Sequence, residues 1–62
     1  MSFSENLVKL QKENHVSDYR LAKALQFSPT TIANWKNGSV PSIENASKIA
    51  VYFGKTVDEM MR

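Results

Sequence analysis

Sixty-two residues make one domain, residues 1 to 62, near the lower size limit for a chain that folds without staples. No cysteine is present and His15 is the lone histidine, read as a surface residue at a helix end, so no disulfide framework, metal site or cofactor is expected and packing and capping must supply stability. The net charge is only +2, the longest apolar run (residues 49 to 53) is far short of the roughly twenty residues that cross a bilayer, and residues 1 to 5 lack the pattern of a secretory leader; the chain reads as cytoplasmic, with no membrane role.

Taken in order, the punctuation divides the chain into five short helices. Ser2 with Glu5 three residues on forms a capping box, and opens a helix with Phe3, Leu7 and Leu10 on one face, ending at Asn14 and His15. Ser17 caps a second helix with the apolar stripe Leu21, Ala22 and Leu25. After a tight turn at Gln26 and Phe27, Ser28 caps a third, with Pro29 at the first position, where its missing N–H costs nothing. That helix stops at Asn37 and Gly38, the glycine suiting a left-handed C′ position. Ser39, Val40 and Pro41 make a loop. Ser42 caps a fourth helix whose Ile43, Ala46, Ile49, Ala50 and Phe53 form the inward stripe, closed by Gly54. Thr56 and Glu59 make a second capping box for a last helix carrying Val57, Met60 and Met61. No stretch alternates with period two, so the fold class is all-α.

The distribution of charge is more informative than its sum. Lys9 and Lys12 cancel Glu5 and Glu13; Lys48, Lys55 and Arg62 cancel Glu44, Asp58 and Glu59. The whole excess falls in residues 17 to 38, where Arg20, Lys23 and Lys36 outnumber Asp18, the pattern expected of a polyanion binder. In the same stretch two short helices are joined by a tight turn, the geometry that lets the second lie in a major groove. Ala22 is small where the backbones must approach, and Ile32 and Trp35 point the third helix at the core. Thr30, Ala33, Asn34 and Asn37 then face outward. Small and polar residues on an outer face, in place of the usual Glu and Lys, suit base edges: Asn34 for an adenine, the methyls of Thr30 and Ala33 for thymine, and hence A·T-rich half-sites. Ser17 and Ser28 stand at helix N-termini, each an anion site, and Arg20, Lys23, Lys36, Asn37 and Ser39 are candidate phosphate clamps. About three cationic contacts give a salt slope near −2.7, at roughly 0.9 per phosphate, so tight binding calls for a homodimer on a two-fold operator of double-stranded DNA.

These residues resemble the Cro and CI-type phage repressors of the XRE helix-turn-helix family. The likeness runs over residues 17 to 61 and is carried by Leu21 to Leu25, Ile32 to Gly38, Pro41 to Glu44, and Ile49 to Met60. It implies a five-helix, lambda-repressor-like domain acting as a repressor, Cro-like regulator or antitoxin-type autoregulator. It also implies DNA contact at Thr30, Thr31 and Asn34, with Ser28 and Pro29 at the start of the reading helix. The combined assignment is Pro29, Thr30, Ala33 and Asn34 to bases, and Ser17, Arg20, Lys23, Ser28, Thr31, Lys36, Asn37 and Ser39 to phosphates. Four departures from the family pattern stand out. Asp18 replaces a phosphate-binding Gln and should repel phosphate unless it serves only its own helix. Gln26 replaces a Gly in the turn, costing roughly 1–2 kcal/mol if the backbone there is left-handed. Ser39 replaces a basic residue. Lys36 and Gln11 stand where an acid and an arginine often pair, so that pair is missing.

The rival readings are an enzyme and a protein-interaction module. The first lacks a Ser/His/Asp set, paired carboxylates or a glycine-rich phosphate loop. For the second, Val51, Tyr52, Met60 and Met61 are spare apolar residues that either cover the core or line an interface. The 62 residues fit either a whole Cro-like protein or the DNA-binding part of a longer repressor.

Overall fold

The computed structural model describes residues 2 to 62, as five α-helices: α1 Phe3–Asn14, α2 Asp18–Leu25, α3 Pro29–Lys36, α4 Ile43–Tyr52 and α5 Val57–Met61. Each begins where a short hydroxyl side chain can accept the backbone N–H three residues ahead. Ser2, Ser17, Ser28, Ser42 and Thr56 do so, from Glu5, Arg20, Thr31, Asn45 and Glu59. The Ser2–Glu5 and Thr56–Glu59 pairs close reciprocally, as complete capping boxes.

The helix ends follow backbone chemistry just as closely. Gly38 (φ 114°) and Gly54 (φ 69°) carry the chain out of α3 and α4. After α3 the Ser39 N–H reaches the Asn34 carbonyl at 3.1 Å; after α4 the Lys55 N–H reaches Ala50 at 2.8 Å, the six-to-one bond of a Schellman turn. Gln26 does take up the left-handed conformation, φ 62°, at a cost of about 1–2 kcal/mol. The Phe27 N–H, bonded to the Ala22 carbonyl at 2.8 Å, offsets part of it. His15 is left-handed too, at the exposed end of α1.

Helix α1 is the spine: α3 packs on one side of it and α5 on another, while α2 lies on α3 and α4 on α5. One cluster fills the centre, with Leu7, Leu21, Ile32, Ala46 and Ile49 wholly buried and Phe3, Leu10, Ala22, Trp35, Ala50 and Met60 nearly so. Val16, Leu25, Phe27, Phe53 and Val57 pack around its edge. Asn6 sews α1 to the end of α5, its amide donating to the carbonyls of Met60 (2.7 Å) and Arg62 (2.8 Å).

One apolar residue departs from expectation. Ile43, read as part of the inward stripe of α4, is 75% exposed. Its neighbours Ser42 and Glu44 are exposed as well, so the first turn of α4 stands clear of the core, and Pro41 from the loop is buried instead. In α5, Met60 is 1% exposed and Met61 40%, so only the first serves the core.

Candidate nucleic-acid interface

Helix α3 is fixed from three directions. Ile32 and Trp35 point inward as expected. The Trp35 ring sits between Phe27 and Phe3, edge to face with both, at centroid distances of 5.1 and 6.3 Å. The Ser4 hydroxyl donates to the Trp35 carbonyl near the end of the helix.

With those side chains committed, the remaining positions divide plainly. Pro29, Thr30, Asn34 and Asn37 are exposed, and Thr30, Asn34 and Asn37 form an uncharged stripe at helical spacing. Ala33, expected on the same outward face, is half-buried, so the open face is narrower than the helical wheel implied. Thr31 is also half-buried, its hydroxyl 2.8 Å from that of Ser28, so both belong to the cap. The backbone N–H of Ser39 is spent on Asn34 and that of Asn37 on Ala33 and Asn34, which leaves only their side chains for a ligand.

Around this stripe the cations take unequal positions. Arg20 and Lys23 are exposed on α2, with the Lys23 ammonium 5.9 Å from the Tyr19 ring. Lys36 is not free. Its ammonium lies 2.6 Å from Asp18 Oδ1, the two side chains equally half-buried. The same oxygen accepts from Gln11 Nε2 at 2.9 Å. Burial raises the Asp18 carboxyl, but the bonds from Lys36 and Gln11 outweigh it and hold the group below the usual aspartate range.

Sequence reasoning found every helix N-cap but missed four of these contacts. The Ser4–Trp35 bond and the Gln11–Asp18–Lys36 trio join residues remote in the chain, and no local pattern announces them. Lys48 belongs to a segment whose charges balance. In space its ammonium lies 5.6 Å from the Phe27 ring, beside the start of α3. Among the described residues no group of three His, Cys, Asp or Glu side chains gathers into a metal site.

Comparison with known proteins agrees with this fold. A crystal structure of apo-HppE contains the same fold, with a TM-score of 0.85 over 97% of this chain and 34% of that one, at 24% identity. The HTH-type transcriptional activator BcrR of Enterococcus faecalis is 32% identical over 62 residues, 98% of this chain. This chain spans 30% of the length of that relative. The helix-turn-helix family model matches residues 7–60, nearly the whole of the five-helix unit just described, and the chain belongs to the XRE-type helix-turn-helix family.

Proposed function

We propose that this domain binds double-stranded DNA in a sequence-dependent way and thereby regulates transcription, with α3 in the major groove. The observation that carries the reading is the uncharged stripe Thr30, Asn34 and Asn37 on a helix anchored from behind by Ile32 and Trp35. Asn34 reads an adenine edge, while Pro29, Thr30 and Ala33 offer carbon contacts to thymine methyls. Arg20, Lys23 and Lys48, with Ser17, Ser28, Thr31, Asn37 and Ser39, hold phosphates and set the register. The Enterococcus faecalis relative, by name a transcriptional activator, supports the same class of function. Activation or repression then depends on where the operator lies relative to a promoter.

Few cations per copy argue for two copies on a two-fold site. The Cα extents of the domain are 24 × 21 × 18 Å, smaller than the roughly 34 Å between major grooves on one face of DNA, so two domains fit side by side. Exposed Val51 (75%) and Met61 (40%) supply apolar surface for contact between copies. The test is selection from a random-sequence duplex pool at low and physiological salt, followed by sequencing of the bound fraction. A two-fold motif, with affinity falling as salt rises, is the expected result. No retention at low salt overturns the reading and favours a protein-interaction module built on the same apolar surface.

A further inference from the structure

We infer that Lys36 acts on DNA binding through Asp18, as a charge-masking residue that keeps the N-terminus of α2 open to phosphate; this rests on the DNA-binding reading above. Asp18 is the first residue of α2, directly after the Ser17 cap. A helix start presents backbone N–H groups without intrahelical partners, and those groups with the helix dipole favour an anion. A bare carboxylate at that point would occupy the same field and repel a phosphate. Here the carboxylate is neutralised: Lys36 reaches across from the last residue of α3 to Asp18 Oδ1 at 2.6 Å, and Gln11 holds the same oxygen at 2.9 Å.

Gln11 makes this a built arrangement. It is 6% exposed, and its Nε2 also donates to the Val16 carbonyl at 3.1 Å, so the amide is fixed at the junction of α1 and α2. Its own Oε1 is buried without a partner, a cost accepted where the amide nitrogen is turned toward Asp18. The carboxylate is thus drawn into the α1–α2–α3 junction, and Lys36 spends its charge there.

The two roles open to Lys36 separate in a mutant cycle of D18N, K36M and D18N/K36M, measured on random-sequence duplex across a salt series. Removing Lys36 alone bares the carboxylate and lowers affinity on the order of tenfold. Removing both charges together restores wild-type affinity and salt slope, since Lys36 held no phosphate. Were Lys36 itself a clamp, the double variant would stay weaker than wild type, with a slope shallower by about 0.9, and the inference would be overturned. If K36M fails to fold, the wild-type and double-variant pair still decides. A wild type that shows no salt-dependent binding sinks the DNA reading itself, an outcome distinct from a failed rescue.

Discussion

The Ser4 hydroxyl of α1 donates to the carbonyl oxygen of Trp35, thirty-one residues on, and so ties the C-terminal end of α3 to the first turn of the chain. The bond is half-buried, and Trp35 beneath it is 6% exposed between Phe3 and Phe27. Removing the ring and removing the bond should therefore differ in scale. Trp35→Ala leaves a void under α3 and costs roughly 3–5 kcal/mol, enough to unfold much of a domain this small. Ser4→Ala removes one bond to that carbonyl, which keeps the Gly38 N–H at 3.4 Å, and costs about 1 kcal/mol, lowering the melting temperature by roughly 4–8 °C with the fold intact. Thermal melts followed by circular dichroism distinguish the two, and an unchanged melt for Trp35→Ala would contradict its place in the core.

Reading of bases and holding of phosphates predict different mutant signatures at Asn34 and Lys48. Asn34 is exposed in the uncharged stripe of α3, so Asn34→Ala should cost about 1–3 kcal/mol on the selected operator and little on random duplex. Lys48 stands beside the Phe27 ring at the start of the same helix. Its replacement by Ala should weaken binding to both duplexes alike and flatten the salt slope by about 0.9. Equal losses on both duplexes for Asn34→Ala would remove it from base reading.

What was legible in the sequence was local. Each helix start carries a hydroxyl residue followed by a backbone that needs an acceptor, and each of the five caps formed where the sequence placed it. The left-handed turn at Gly38 was legible because glycine takes positive φ without strain, and Gly54 was legible as a helix end. Periodicity overreached at the start of α4: Ile43 fits its stripe by angle, yet angle says nothing of whether a neighbouring helix extends that far. Ala33 marks the same limit on α3, half-buried on a face that the wheel placed outward. The site was less legible than the fold because its electrostatics are tertiary. Asp18 looked like a phosphate-repelling departure and Lys36 like a clamp; the structure puts them against each other, with Gln11 as third member. A charge count by segment cannot find such a pair, since it adds residues that the fold later brings together.

The same pair gives the domain an acid limit whose direction is fixed. Asp18 is held below the usual aspartate range in the folded protein, because the bonds from Lys36 and Gln11 outweigh its burial. A carboxyl whose folded pKa is depressed contributes its stability above the unfolded value and loses it as pH falls through the folded one. Its contribution is therefore constant through neutral pH and disappears below about pH 4. Glu59, drawn down by its bonds to Thr56, titrates in the same direction, so acid destabilisation of the wild type alone does not isolate Asp18. Asp18→Asn does. Urea unfolding between neutral and acid pH should show wild type ahead of the variant above the aspartate range and the two converging below it. Curves that run parallel through the acid range would mean that the carboxylate is solvated in the folded protein, and the masking role of Lys36 would fall with it.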